Sequence, residues 1–78
     1  MKSIEKYKKV FMDTLAVTEV ELTYLTYQSV PAWDSVGHMG LITAIEESFD
    51  IMIDTDDIID FSSYEIGKDI LKKYNVDL

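Results

Sequence analysis

The 78-residue chain has no cysteine and no arginine, and only one proline, one histidine and one tryptophan. Without cysteine there is no disulfide framework, no thiolate metal cluster and no protein thiol to act as a nucleophile, so any sulfur chemistry must be imported. Long hydrophobic runs are also missing, and none approaches the length of about 20 residues that a membrane span needs. The opening Met1-Lys2-Ser3-Ile4-Glu5-Lys6 is charged and lacks the apolar stretch of a signal peptide. A cytoplasmic protein with no membrane insertion is the expectation.

Basic charge is absent from the middle of the chain. All seven lysines lie within residues 1–9 or 68–78, whereas residues 10–67 carry twelve acids, and the formal net charge is -8. A surface of this kind repels phosphate backbones, which disfavours nucleic acid as a partner. It attracts basic protein surfaces, with an association that weakens as salt rises. For any single carboxylate a solvated surface is the ordinary explanation, but the lack of cations across the whole middle is harder to dismiss.

What is present is helical periodicity, over a length and a hydrophobic content of 47% that suit one domain, residues 1–78, around one core. Ile4, Tyr7, Phe11 and Leu15 repeat along one face after Ser3, which predicts a first helix capped by Ser3 and running to about Ala16. Residues 17–34 hold no sustained pattern and include Pro31, so they read as a long connection pinned to the core by Leu22 and Leu25. A second helix is predicted from Asp34 or Ser35 to about Phe49. At the ideal rotation per residue, Leu41, Ile42, Ile45, Phe49 and His38 face inward, while Val36, Met39, Thr43, Glu46, Glu47 and Asp50 face outward. Asp54 with Asp56 and Asp57 opens a short third helix holding Ile58, Ile59 and Phe61. Ser62 and Glu65 have capping-box spacing ahead of a last helix marked by Ile66, Ile70, Leu71 and Tyr74 and ending at Lys72 and Lys73. No alternation is long enough for a sheet, so the fold class is all-α, a small four-helix bundle with a long loop between helices 1 and 2.

The run Trp33-Asp34-Ser35-Val36-Gly37-His38-Met39 puts one serine hydroxyl at the entrance of the second helix. A helix N-terminus offers unpaired N–H groups and a positive dipole end, so a phosphate on Ser35 would sit where an anion is favoured. Alone, such a serine reads first as a plain N-cap. Asp34, Ser35 and His38 also include the residue types of a hydrolytic triad. However, neighbours in sequence do not form the Ser-His-Asp relay, and no Gly-x-Ser-x-Gly elbow is present. His38, on the inward side, reads first as a packing histidine at the edge of the core. Asp54, Asp56 and Glu65 fall at positions 1, 3 and 12 of a calcium loop, but Ile59 stands where that loop requires glycine, so no metal is predicted.

The order of elements, together with Asp34-Ser35-Val36 followed by Leu41, Ala44, Ile45-Glu46-Glu47 and Phe49, resembles the acyl carrier and peptidyl carrier protein superfamily over nearly the whole chain. The resemblance implies that Ser35 receives 4′-phosphopantetheine from coenzyme A and that the arm's thiol carries cargo as a thioester. It also implies a protein without catalytic residues. Asp34 would then cap the helix or help to position the modifying enzyme's metal. Val36 and Met39 would form an apolar docking spot, and Glu46, Glu47, Asp50, Asp56 and Asp57 would guide basic partners. The implied partners are a phosphopantetheinyl transferase, an acyl- or aminoacyl-loading ligase, and acyltransferase or synthase enzymes, acting on a monomeric carrier. Alternatives are an aminoacyl or peptidyl carrier, or an acidic adaptor that carries nothing. Gly37 and Gly40 stand where fatty-acid-type carriers usually have docking carboxylates. The resemblance is therefore to stand-alone carriers of specialised pathways.

Overall fold

The structure, a computed structural model, describes residues 2–78. Four α-helices and one 3₁₀ helix make up the fold: α1 (Ser3–Leu15), the 3₁₀ helix (Glu19–Tyr24), α2 (Ser35–Phe49), α3 (Thr55–Asp60) and α4 (Tyr64–Lys72). Among the described residues there is no strand, only an isolated antiparallel bridge between Thr26 and Ser63. Among the described residues no helix is long and apolar enough to cross a membrane.

The first helix begins at its predicted cap, one residue earlier than expected. Lys2 is the N-cap residue, with its backbone N–H turned to the Glu5 carboxylate, and Ser3 lies inside the helix. The helix stops where Ala16 turns into the left-handed region at φ 55°. Tyr7, Val10, Phe11 and Leu15 are its buried face, so periodicity located the stripe even though the cap was misplaced.

The long connection is less irregular than the sequence implies. Thr18 and Glu21 close on each other through the Thr18 backbone N–H and hydroxyl, both donating to one Glu21 oxygen at 3.0 and 2.9 Å. These bonds hold the Glu21 carboxyl below its ordinary pKa. The 3₁₀ helix that follows buries Leu22, and Leu25 is buried just after it. These are the two predicted anchors of the connection.

The core centres on Phe11. Its ring meets Tyr7, Tyr64, Trp33 and Phe61 at centroid separations of 4.9, 5.1, 5.6 and 6.1 Å. Edge-on and offset arrangements of this kind add about 0.5–1.5 kcal/mol per pair beyond area burial. Tyr7 donates its hydroxyl to the Tyr64 carbonyl at 2.7 Å, and burial pushes the Tyr7 phenol well above its usual pKa. Burial likewise raises Tyr64, to about 12.

The last helix is shifted relative to its predicted start. Ser63, not Ser62, is the N-cap, accepting from the Ile66 N–H at 2.9 Å. The buried face is accordingly Tyr64, Gly67, Ile70 and Leu71, and Ile66 is 43% exposed. Gly67 is buried because α4 lies against α1 there. A Cβ at this position would come 2.2 Å from the Tyr7 hydroxyl and 2.3 Å from the Phe61 ring.

Candidate functional site

Asp34 is the N-cap of α2. Its side chain accepts from the Gly37 N–H at 2.8 Å, and its backbone carbonyl accepts from His38 at 2.8 Å. The first bond satisfies one of the four orphan donors at the helix start and the second is the first i→i−4 bond of the helix; a side-chain cap of this kind stabilises a helix by about 1 kcal/mol. Ser35 follows as the first helical residue and is exposed. Its hydroxyl does not serve as the cap, because Asp34 fills that role.

The approach to this turn is unusually close. A Cβ at Gly37 would lie 1.8 Å from the Ala32 carbonyl oxygen, so the backbone of the preceding loop rests directly on the first turn of α2. Gly40, by contrast, faces open space apart from a Thr14 methyl at 3.9 Å. Gly37 and Gly40 therefore have different surroundings. Only Gly37 is fixed by packing.

Trp33, in the loop just before the site, is fully buried. Its indole N–H donates to His38 Nδ1 at 2.9 Å. Because Nδ1 accepts, the ring proton is on Nε2, which donates to the Ile58 carbonyl at 2.8 Å. Ile58 is within three residues of the end of α3, where carbonyls have no helical partner, so His38 caps α3 from α2. Both ring nitrogens of His38 are thus spent on structure, which leaves neither for Ser35. The inward placement of His38 agrees with its reading as an edge-of-core residue.

An open apolar groove of about 400 Å³ lies beside Ser35, between α2 and α3. Tyr27, His38, Met39, Ile59 and Phe61 line it with Ser35 at its rim. The Tyr27 hydroxyl is 3.3 Å from Ser35 Oγ. Val36 is 82%, Met39 52% and Ile59 73% exposed, so the apolar surface continues outward from the groove.

The acids anticipated for docking fall into two groups. Glu47, Asp50 and Asp56 are exposed, and among the described residues none of them pairs with a lysine. Glu46, expected to face outward, and Asp57, expected to guide partners, do not present free carboxylates. Glu46 is half-buried and accepts from the Ile53 N–H at 2.9 Å, tying residues 51–53 to α2. Asp57 is buried, 6% exposed, against the Lys73 ammonium and the Tyr74 hydroxyl. Those two partners hold its carboxyl below the ordinary range, and Asp57 in turn raises Lys73.

The sequence does not single out Tyr27, and it marks Ile59 only as an apolar residue of the short third helix. Tyr27 sits in a stretch with no period to place it. Ile59 is 73% exposed, whereas its neighbour Ile58 packs against the core. Comparison of the chain with protein-family models, with curated proteins and with solved structures gives no match. What fold and site define together is a small all-helical protein with an exposed serine at the start of a helix and at the rim of an apolar groove.

Proposed function

We propose that the protein is an acyl carrier that holds its cargo as a thioester on 4′-phosphopantetheine attached to Ser35. The observation that carries this reading is the setting of Ser35, exposed in the first turn of α2 at the rim of a groove lined by apolar side chains. Attachment forms a bond from Ser35 Oγ to the β-phosphorus of coenzyme A. The bond from that phosphorus to the bridging oxygen breaks, and adenosine 3′,5′-bisphosphate departs with the electron pair. The serine proton passes to a base of the transferase, because His38 is engaged elsewhere. The arm then supplies the thiol that a chain without cysteine lacks.

The surface around Ser35 supports recognition by partners of opposite charge. Val36, Met39 and Ile59 offer exposed apolar contact, and Glu47, Asp50 and Asp56 add unpaired negative charge that attracts a basic transferase, ligase or synthase. A specialised pathway, not fatty acid synthesis, is supported by Gly37, which has no room for the carboxylate that fatty-acid-type carriers bear there.

The test is intact mass after incubation with coenzyme A and a broad-specificity phosphopantetheinyl transferase. Wild type should gain one phosphopantetheine. Ser35→Ala should gain none while keeping its helical circular dichroism, since Asp34 carries the cap. A wild type that gains no mass leaves the acidic adaptor as the better reading, and modification of Ser35→Ala refutes Ser35 as the acceptor.

A further inference from the structure

Tyr27 lies in the long connection, yet its side chain is fixed from several sides. Its backbone N–H donates to the Ser62 carbonyl at 2.8 Å, and the Tyr64 N–H donates to the Leu25 carbonyl at 3.1 Å, which fastens this piece of loop to the approach to α4. The Tyr27 ring meets Trp33 edge-on at 6.3 Å and His38 at 5.5 Å. Those two rings are joined by their own hydrogen bond. Gln28, immediately after, turns the chain at φ 69°, and its N–H donates to the Trp33 carbonyl. This frame delivers the phenol oxygen to 3.3 Å from Ser35 Oγ.

We infer that Tyr27 is a positioning residue for the group carried on Ser35, donating its hydroxyl to the phosphodiester and turning the arm into the groove beside Met39 and Ile59. The inference rests on the carrier reading of Ser35. In the unmodified protein either hydroxyl can donate, and the bond is one between neutral groups. Once Ser35 Oγ becomes an ester oxygen its proton is gone, so Tyr27 is the donor of the pair. The acceptor is then a non-bridging oxygen of the anionic phosphodiester bonded to Oγ, and a charge-assisted bond is shorter and roughly twice as strong as a neutral one. Tyr27 and Ser35 both border the groove, so a phosphate held by Tyr27 starts the arm on the groove side of α2.

The experiment compares wild type and Tyr27→Phe, both loaded by the transferase and checked by intact mass. Tyr27→Phe keeps the ring that packs on Trp33 and His38 and should load fully at Ser35. Its ³¹P resonance should then move toward that of a free phosphopantetheine diester. Contacts between the arm's methyls and the Met39 and Ile59 side chains, read as nuclear Overhauser effects, should weaken severalfold. A second measurement needs no variant: the Tyr27 Cζ resonance of wild type should shift on loading. A ³¹P resonance and arm contacts identical in the two proteins, or an unmoved Tyr27 Cζ, overturn the inference and leave the carrier reading intact. Wild type that takes up no phosphopantetheine removes both, and the mass measurement registers that before any resonance is recorded.

Discussion

At position 37 a single missing side chain decides how closely the loop can lie on the serine's helix. Helix propensity alone favours alanine over glycine by about 1 kcal/mol at both Gly37 and Gly40. Space separates them. Gly40→Ala meets only the Thr14 methyl, so its urea midpoint should rise by up to about 1 kcal/mol in stability. Gly37→Ala drives a methyl into the Ala32 carbonyl, and overpacking against backbone should lower stability by about 1–3 kcal/mol in the same measurement. Equal effects at the two positions would mean that the loop yields easily. The sequence displays both glycines but cannot rank them, because the ranking depends on where a carbonyl five residues upstream comes to rest. Asp57 is a parallel case. As an acid in a first helical turn it reads outward, but its partners Lys73 and Tyr74 are sixteen and seventeen residues away and are brought to it only by the fold.

Elements with strong punctuation were the most legible. α2 was placed within a residue at each end because Asp34 is a good cap and an apolar stripe runs on to Phe49. α4 was found but its start and inner face were misjudged, since Gly67 carries no hydrophobic signal and is buried only through the close approach of Tyr7 and Phe61. Trp33 gave no sign of its full burial, as a loop has no period. The 3₁₀ helix was hidden for the same reason, although Thr18 and Glu21 have the reciprocal spacing of a cap. The end of α1 permits a test at this scale. Ala16 sits at φ 55° and ψ 44°, where an L side chain costs roughly 1–2 kcal/mol and glycine costs little. Ala16→Gly should therefore stabilise the protein by about 1 kcal/mol in urea unfolding, even though glycine is the poorer helix former. A loss of stability would show that the left-handed turn is not what ends α1.

Across the whole molecule, five lysines from the two ends of the chain pair with acids: Lys8 with Glu19, Lys9 with Asp13, Lys68 with Glu65, Lys72 with Asp69 and Lys73 with Asp57. Of the acids outside these pairs, Asp34, Glu46, Glu47, Asp50, Asp54, Asp56 and Asp60 lie on α2, α3 or their caps, whereas Glu5, Glu21 and Asp77 lie elsewhere. This asymmetry is readable from lysine positions alone, whereas the groove is not, because its lining residues, from Tyr27 to Ser62, are brought together only by the fold. The Asp57 cluster ties α3 to the C-terminal segment and makes that tie depend on pH. The folded Asp57 pKa is lowered, so its contribution is complete above the unfolded value of about 4 and is lost as pH falls through the folded value. The folded Lys73 pKa is raised, so its contribution is complete below the unfolded value of about 10.4 and is lost as pH rises through the raised value. Asp57→Asn should accordingly flatten the acid side of a plot of urea midpoint against pH. Wild-type and variant curves that run parallel below pH 5 would show that α3 is held without this ion pair.

The closed cage around Trp33 has one more consequence. It is the only tryptophan in the chain, it is fully buried, and its N–H is bonded to a histidine on the serine's own helix. All indole emission from the native protein therefore originates two residues from Ser35, in apolar surroundings that shift it to shorter wavelength than in water. Anything that displaces His38 or Tyr27 changes that light directly. The molecule carries its own fluorophore at the seam where loop, α2 and α3 meet, and events at Ser35 can be followed in real time without a label.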